Sequence, residues 1–260
     1  MMIHLKTKEE IELIRASNHL VSKTLAEVAR HIEPGVTTLE LDRIAETFIR
    51  DNGAVPGFLG YKGYPGTLCT SVNHEVVHGI PSSYVLKEGD ILSVDCGVLY
   101  EGYYGDSAYT FAVGQIPDDL HRLLRTTKAS LLKAVEQARA GKRIGDISHT
   151  VQSHCEQNGY SVVRELVGHG IGKGLHESPE IPNYGRRGQG IRLQEGMVIC
   201  IEPMINMGRK EITHSSDGWT VRTTDKLPSA HFELCVAIGR DDADVLSPFR
   251  YIEEIVGETV

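Results

Sequence analysis

The sequence lacks any run of apolar residues long enough to cross a bilayer. No stretch among its 260 residues approaches the ~20 apolar residues that a membrane-spanning helix needs. The opening segment, MMIHLKTKEE, also lacks the apolar core of a secretory signal. We therefore predict a cytoplasmic protein that makes no membrane contact.

Cysteine is scarce, and its pattern is not that of a disulfide framework. The five cysteines include no C-x-x-C pair, and their odd number fits reduced thiols. They are Cys69, Cys96, Cys155, Cys200 and Cys235. We interpret most of them as small core residues. Cys200 and Cys235 each lie two residues from a candidate metal ligand, and we interpret both as neighbours of that site, not as ligands.

An excess of basic residues is also missing. The 27 Lys and Arg are outnumbered by 35 Asp and Glu, which gives a formal net charge of -8. Phosphate contacts need clustered Lys and Arg, so this balance argues against specific DNA binding as the main role. The length suits one large domain that buries roughly 70 to 75% of its unfolded surface. No low-complexity linker divides the chain, and we expect a single catalytic domain over residues 1–260.

What the chain does contain is an internal repeat. LKEGDILSVD at residues 86–95 returns 107 positions later as LQEGMVICIE at residues 193–202. Both copies read as a buried strand entered through a glycine turn, and both end on a carboxylate. A strand that is repeated and twice ends on an acid indicates a symmetric site.

A second pair of segments supports the duplication. Residues 35–53 and 141–159 match in length, and both end on Asn-Gly, at an offset of 106. Chance matches between two amphipathic segments do occur, but two matches at nearly one offset argue against coincidence. We therefore expect two pseudo-symmetric halves, at about residues 1–115 and 116–260.

The coarse pattern predicts two helices followed by strands, twice over. Apolar periodicity predicts helices at residues 7–31, 38–52, 117–140 and 144–158. A Thr-x-x-Glu capping box begins each of the first two. Short β-rich runs broken by Gly and Pro fill the remainder. This order predicts an α+β fold in which helices cover one side of a curved, mainly antiparallel sheet, with the site where the halves meet.

The acids at the two strand ends have companions. Asp106 follows Asp95 by 11 residues, and Glu233 follows Glu202 by 31. Four carboxylates buried together would force one another to take up protons unless cations neutralised them. Two divalent metals would balance the four charges, and His169 in GHGIGKGLHE supplies an imidazole ligand. The sequence therefore predicts a dinuclear metal site.

These motifs resemble those of the methionine aminopeptidases, in their type I, bacterial-like form. The resemblance covers essentially the whole chain and implies the pita-bread fold. The sequence shows neither the long insertion of type II relatives nor the added N-terminal domain of creatinase and prolidase relatives. The five implied metal ligands are Asp95 in SVDCG, Asp106 in GYYGDSA, His169 in GHGIG, Glu202 in IEPM and Glu233 in HFE.

The resemblance implies a role for each ligand. Two ions of Mn, Fe or Co, with Zn as a further candidate, suit an oxygen-rich site with one histidine. Asp106 and Glu233 would bridge the ions, Asp95 would complete one coordination sphere, and His169 with Glu202 the other. Glu202 would also accept a proton from the bridging water.

Two further histidines resemble substrate-facing residues of the family. They are His78 in VVHGIP and His176 in LHESP. His176 would help polarise the scissile carbonyl, and His78 would contact the peptide nitrogen. The implied activity is removal of the N-terminal methionine from nascent proteins with a small second residue, by attack of a metal-bridged hydroxide on the first peptide bond.

The resemblance also implies an apolar pocket for the methionine side chain. Its residues here are Phe58, Tyr61, Tyr64, Cys69, Leu175 and the sole tryptophan, Trp219, together with His78 and His176. Phe58 and Leu175 depart from a familiar bacterial pattern in ways that affect pocket shape. We expect a monomer, and basic residues between Glu202 and Glu233 are candidates for a ribosome contact: Arg209, Lys210, Arg222 and Lys226.

One competing motif is HEVVH at residues 74–78, which satisfies the H-E-x-x-H zinc-protease pattern. That chemistry needs a helix, whereas Val76 and Val77 favour a strand, and Gly79 and Pro81 follow at once. We therefore favour the aminopeptidase.

Two further hypotheses stay open. A metal-free binding homologue of the same fold is disfavoured because all five ligand types are present. An X-Pro-directed aminopeptidase of the same fold is not separated from our hypothesis by residues alone.

Overall fold

The structure, a computed structural model, describes residues 3–257 and is built from helices and antiparallel strands. The helices are α1 (Lys8–Ala29), α2 (Thr38–Asp51), α3 (Asp118–Val135), α4 (Ile144–Gln157) and α5 (Arg250–Val256). The strands of the first half are β1 (Val55–Pro56), β2 (Leu68–Val72), β3 (Glu75–Val77), β4 (Ile91–Tyr100) and β5 (Tyr103–Ala112). Those of the second half are β6 (Ser161–Val162), β7 (Gly168–Gly170), β8 (Glu177–Ile181), β9 (Val198–Ile201), β10 (Met204–Asn206), β11 (Ile212–His214), β12 (Val221–Thr223), β13 (Ser229–His231), β14 (Leu234–Ile238) and β15 (Ala243–Val245).

Both predicted capping boxes are present. The Thr7 hydroxyl accepts from the Glu10 N–H at 3.2 Å, and the Glu10 carboxylate accepts from the Thr7 N–H at 2.9 Å. Thr37 and Glu40 repeat this exchange at 3.2 and 2.8 Å. Each box pairs two N–H groups that a helix start leaves free, and so α1 and α2 begin where the sequence predicts.

The third helix ends earlier than predicted. The sequence predicted a helix over residues 117–140, whereas α3 ends at Val135. The N–H of Ala140 donates to the Gly239 carbonyl at 2.9 Å. The backbone after α3 is therefore paired with a distant segment, which competes with continuation of the helix.

The strands form four hydrogen-bonded sheets in the described residues, and every strand pair there is antiparallel. The largest, in the order β15-β14-β9-β7-β8, belongs to the second half. In the first half β4 pairs with β1, β2 and β5. The two smaller sheets are β13-β10-β6 and β11-β12-β3, the latter joining strands from both halves. None of the described helices combines the length and apolar character that a bilayer crossing requires.

The two large sheets are joined along β5. The Glu233 N–H donates to the Ala108 carbonyl at 2.9 Å, and the Ser107 hydroxyl donates to the Glu233 carbonyl at 2.7 Å. Further along, the Thr110 hydroxyl donates to the His231 carbonyl at 2.7 Å. One hydrophobic cluster also contains buried side chains from every helix. The halves thus share one core, and β5 is the seam between them.

Equivalent backbone contacts recur in the two halves. The Gly35 N–H donates to the Leu86 carbonyl at 2.9 Å, and the Gly141 N–H donates to the Leu193 carbonyl at 3.0 Å. In each case the segment before a helix is held by the start of the repeated decapeptide. Gly35 and Gly141 lie 106 residues apart, and Leu86 and Leu193 lie 107 residues apart. These are the offsets of the two sequence repeats.

The glycine turn of the repeat also has one conformation in both copies. Gly89 and Gly196 each have φ of +90°, a backbone conformation that residues other than glycine rarely adopt. From these matches we propose that the chain consists of two halves with the same local backbone arrangement.

Asp42 in α2 binds the backbone at the start of β2. Its carboxylate is buried, and Oδ1 accepts from the N–H groups of Thr67 and Leu68, both at 2.8 Å. Burial raises the pKa of Asp42, because desolvation disfavours the charged carboxylate, while the two backbone hydrogen bonds favour it. The side chain thereby pairs two backbone donors that precede Cys69 in β2.

Replacing Asp42 with Ala is expected to lower the free energy of unfolding by about 2 to 4 kcal/mol, because two buried N–H groups lose their acceptor. Asp42→Asn keeps an acceptor oxygen and removes the charge, so we expect a loss of at most about 1 kcal/mol. Urea denaturation of both variants measures the difference. Equal losses would contradict the role of the backbone pairs.

Candidate active site

The structure brings every predicted site residue to one cavity of about 180 Å³. Its lining consists of Phe58, Tyr61, Lys62, Tyr64, Cys69, His78, Asp95, Asp106, His169, Leu175, His176, Glu202, Trp219 and Glu233. Lys62 alone among them was not predicted. It has a left-handed backbone (φ +49°) in a short 3-10 turn, and nothing in its sequence context distinguishes it from a solvated loop lysine.

Two of the four carboxylates lie on the β4–β5 ladder. Asp106 in β5 is opposite Gly97, which is two residues from Asp95 in β4. Residues two apart on a strand share a face, and so do residues paired across strands. Both acids therefore point to the same side of the sheet.

The other carboxylates come from the ends of β9 and β14. Glu202 directly follows β9, Glu233 directly precedes β14, and His169 lies in β7, which also pairs with β9. His169 Nε2 lies 3.6 Å from Glu202 Oε1 and 3.7 Å from Asp106 Oδ2. The imidazole thus stands between an acid of one half and an acid of the other.

The protonation of His169 follows from its second nitrogen. Nδ1 lies 2.9 Å from the Gly170 carbonyl, which only accepts hydrogen bonds, so Nδ1 carries the proton. Burial lowers the pKa of His169 and favours the neutral ring. Nε2 therefore directs a lone pair at the carboxylates, as a metal-ligating imidazole does.

Burial, and for three of the four acids the charge of their neighbours, disfavours ionisation in this cluster. Burial raises the pKa of Asp95 to about 7. Burial, and then the charges on Glu233 and Asp95, raise the pKa of Asp106. The pKa values of Glu202 and Glu233 are also raised, with burial the main cause. Without a compensating cation, this cluster would retain protons near neutral pH.

Several of these oxygens have no hydrogen-bond partner among the described residues. They are Asp95 Oδ1, Asp106 Oδ1 and Glu233 Oε1, all removed from solvent. An unpaired buried carboxylate oxygen is costly, and a cation is the group that would satisfy it. Ligand atoms of Asp106, His169 and Glu233 lie within 4.8 Å of one another. The residues present therefore fit divalent metal ions.

His231 joins the site although it was not predicted. Its Nε2 lies 3.9 Å from Glu202 Oε2 and has no hydrogen-bond partner among the described residues. Burial lowers the pKa of His231 to about 3, so the ring is neutral. The available signal was its position in HFE, two residues before Glu233.

Close backbone packing places Phe58 in the cavity wall. The Gly57 N–H donates to the Gly97 carbonyl at 2.7 Å, which brings the following ring onto β4. A Cβ atom at Gly97 would lie 2.4 Å from Cε1 of Phe58. Glycine at position 97 is therefore required for the ring to lie there, two residues from Asp95.

The remaining apolar wall is built around Tyr64. Its ring meets Trp219 edge-on at 5.0 Å, and its hydroxyl lies 2.9 Å from the Gly79 carbonyl and 3.0 Å from that of Leu68. These contacts hold one aromatic against the loop that carries His78. The wall is therefore anchored by backbone groups.

The two predicted substrate-facing histidines both have lowered pKa values, although His176 is exposed at the cavity mouth and His78 is half-buried. His176 Nδ1 lies 3.0 Å from the Tyr61 hydroxyl, and the two rings stack at 5.4 Å. Desolvation, then the charge that His169 could carry, lowers the pKa of His176 to about 4. Burial likewise lowers the pKa of His78 to about 4. His78 has φ of +59°, an uncommon backbone state for a residue other than glycine.

The loop that carries Leu175 and His176 is held by an ion pair from the N-terminal segment. Lys6 Nζ donates to Glu177 Oε2 at 2.5 Å, and both side chains are largely buried. Glu177 Oε1 accepts from the Gly174 N–H at 2.9 Å. One carboxylate thus ties the loop to a lysine that lies far away in sequence.

The HEVVH segment does not form the helix that a zinc protease requires. Glu75–Val77 is strand β3, and His74 lies in the turn before it. His78 lines the cavity described above, whereas His74 lines a different one. The two histidines therefore do not share a site.

Comparison with known proteins gives consistent matches over almost the whole chain. The family model of metallopeptidase family M24 matches residues 12–238. Methionine aminopeptidase 1 of Bacillus subtilis is 49% identical over 246 residues, which cover 95% of this chain and 99% of that protein. The crystal structure of methionine aminopeptidase from Rickettsia prowazekii has a TM-score of 0.94 at 41% identity, covering 95% of this chain and 100% of that one.

A more distant solved structure is the prolidase from Pyrococcus furiosus. It has a TM-score of 0.78 at 27% identity, and the match covers 94% of this chain but 65% of that one. Together these likenesses confirm the predicted α+β pita-bread fold.

Replacing Asp106 with Asn should stabilise the metal-free protein at neutral pH by about 1 to 4 kcal/mol, because the folded protein must keep this carboxyl protonated whereas the unfolded chain ionises it. We expect Co²⁺ to raise the melting temperature of the parent protein, and the variant should lose this rise. Thermal unfolding with and without Co²⁺ measures both effects. Asp119→Asn, a change in the first turn of α3, serves as the control. A destabilised metal-free variant that still responds to Co²⁺ would contradict our interpretation.

Proposed function

This chain belongs to metallopeptidase family M24 and, within it, to the methionine aminopeptidases, and on this premise we propose that it removes the N-terminal methionine of nascent proteins whose second residue is small. The observation that carries the proposal is the meeting of four carboxylates and His169 in a cavity that also has an apolar aromatic wall. One cavity therefore offers both a place for metal ions and a place for an apolar side chain.

We assign the metal centre to two divalent ions of Mn, Fe or Co, with Zn as a further candidate. Asp106 and Glu233 would serve both ions, Asp95 one of them, and His169 with Glu202 the other. When bound, the ions would supply an activated water and polarise the scissile carbonyl. The unpaired buried oxygens of Asp95, Asp106 and Glu233 support this assignment.

The polar side chains beside the centre have separate tasks. The neutral ring of His176 can accept at Nδ1 from the Tyr61 hydroxyl, which leaves the proton on Nε2. Nε2–H can then donate to the carbonyl oxygen as charge develops on it. His78 would contact the peptide nitrogen. Burial raises the pKa of Glu202, which makes it a suitable proton acceptor.

The apolar wall would bind the methionine side chain. Phe58, Tyr64 and Trp219 offer aromatic surface, with which a thioether packs favourably. Leu175 and Cys69 complete the wall, and both are almost fully buried. The modest volume of about 180 Å³ suits one side chain and not a long peptide segment. The α-amino group would lie near Asp95, which would limit the enzyme to the first residue of a chain.

We propose action in the cytoplasm, as a monomer, on chains that emerge from the ribosome. Of the basic residues considered for a ribosome contact, Arg222 already pairs with Glu75 at 2.9 Å. Lys210 lies 4.0 Å from Glu211 and is exposed. Arg209 and Lys226 are also exposed. These three remain the candidates for that contact.

The alternatives differ in what they require. A metal-free binding homologue would have no need of unpaired buried oxygens in its cavity, whereas three are present. An X-Pro aminopeptidase of the same fold is the stronger rival. The lower identity and partial coverage of the prolidase structure disfavour it. Only the substrate separates it from our proposal.

Protein stripped of metal should be inactive on Met-Ala and Met-Gly peptides, and added Mn²⁺, Fe²⁺ or Co²⁺ should restore methionine release. Peptides with a large second residue, and peptides that begin with Leu, should be cleaved about 100-fold more slowly, because each misfit is costly in a closed pocket. Chromatography of the released amino acid measures kcat/KM for each peptide. Faster cleavage of an X-Pro peptide than of Met-Ala peptides would contradict the proposal.

Replacing Lys6 with Met should lower kcat on Met-Ala peptides about 10- to 100-fold, because the loop that carries His176 loses its tether. Metal content should not change, since no ligand is touched. Lys6→Arg should recover most of kcat, and Arg15→Met is the matched control. Arg15 pairs at 2.5 Å with Asp244, away from the cavity.

The double variant Lys6→Met with Glu177→Gln separates positioning from stability. It removes both buried charges, so the unfolding free energy should recover. If kcat recovers with it, the ion pair only stabilises the fold. A kcat that stays low in a stable double variant supports the positioning role.

A further inference from the structure

A sulfur atom lies among the oxygen and nitrogen ligand atoms of the metal centre. Cys200 Sγ is within 4.8 Å of a ligand atom of each of Asp106, His169 and Glu233. All four residues are buried. The sequence led us to treat this cysteine as a neighbour of the site, and its position within the ligand cluster changes that interpretation.

The backbone directs this thiol into the centre. Cys200 lies in β9, two residues before Glu202, so the two side chains share a face of the strand. Across the ladder it is opposite Cys235, which is two residues after Glu233. Cys200 and Cys235 therefore lie on the same side of the sheet as Glu202 and Glu233. Of these two cysteines, Cys200 is the one whose sulfur belongs to the ligand cluster.

Two of the residues around the sulfur also carry unpaired oxygens. Asp106 Oδ1 and Glu233 Oε1 have no hydrogen bond among the described residues, although solvent does not reach them. His169 Nε2 faces the same space with its lone pair. A cation between them would meet two carboxylate oxygens, one imidazole nitrogen and one sulfur. That donor set suits a borderline or soft cation better than an all-oxygen set does.

We propose that Cys200 is a thiolate ligand that this metal centre offers to soft divalent cations such as Zn²⁺ and Cd²⁺. On binding, the S–H bond breaks, a sulfur–metal bond forms and the proton leaves to solvent, so no oxidant or reductant is needed. A lone buried thiolate would be costly, but a bound dication reverses that cost. The proposal rests on the metal centre described under the proposed function.

The consequence is a preference of this centre for softer metal ions. Hard ions such as Mn²⁺ would use the carboxylates and His169 and leave the thiol protonated. Softer ions would gain the sulfur in addition. Zn²⁺ should therefore bind more tightly, relative to Mn²⁺, than a purely oxygen and nitrogen centre would allow.

Cadmium titration of the metal-free protein tests this directly. A thiolate–Cd²⁺ bond has an ultraviolet charge-transfer absorption that carboxylate and imidazole ligands lack. We expect this band to rise with the first bound Cd²⁺ and to be absent from Cys200→Ser. Cys155→Ser, a buried cysteine of α4 outside the cavity, should keep the band, and so should Cys235→Ala. Cys200→Ala is a second variant should the serine variant fail to fold.

Metal competition gives a second, independent readout. In the parent protein, Zn²⁺ should displace Mn²⁺ more readily than in Cys200→Ser, with the ratio of the two affinities falling about 10- to 100-fold in the variant. Bound metal is counted by elemental analysis after dialysis against both ions.

The outcomes are distinguishable. Stoichiometric Cd²⁺ binding by the parent without the band, or a band that persists in Cys200→Ser, would overturn the sulfur ligand while leaving the metal centre intact. Failure of the parent to bind Cd²⁺, Zn²⁺ or Mn²⁺ at all would overturn the centre itself. A band lost only with Cys200 supports both.

Discussion

The high cost of ionising four acids buried in one cavity is the main energetic constraint on this fold. Asp95, Asp106, Glu202 and Glu233 line a single small cavity, and burial raises the pKa of each. A fold gains nothing from such a cluster unless it holds cations there. In the metal-free form the folded protein therefore has to hold these acids protonated near neutral pH, which lowers its stability, and the metal ions that this metallopeptidase family uses would neutralise them instead.

We propose that an internal duplication explains how a chain can build such a cluster. Each half delivers two acids from adjacent antiparallel strands, and β5 joins the halves through the backbone of Glu233. Equal contacts at Gly35 and Gly141, with equal turns at Gly89 and Gly196, hold the two copies in matching shapes. The site is nevertheless asymmetric, because His169 and Cys200 come only from the second half. We propose that this asymmetry distinguishes the two metal positions.

Local signals predicted α1 to α4 but missed α5, where the sequence led us to expect strands up to the end of the chain, and the motifs predicted which residues would meet. Capping boxes start α1 and α2 at the expected threonines because the partners are three residues apart. The end of α3 was missed because the Ala140 N–H pairs with Gly239, a contact that no local pattern encodes. Lys6, His231 and the cluster position of Cys200 were missed for the same reason. Each acts through a partner that lies close in space but is defined by another strand or loop.

Anomalous X-ray diffraction from crystals grown with Co²⁺ would show whether the buried acids hold a pair of cations. We expect two anomalous peaks in one cavity, each in contact with Asp106 and Glu233, and one of them also in contact with His169. A single peak away from these side chains, or no peak in crystals of active protein, would contradict it.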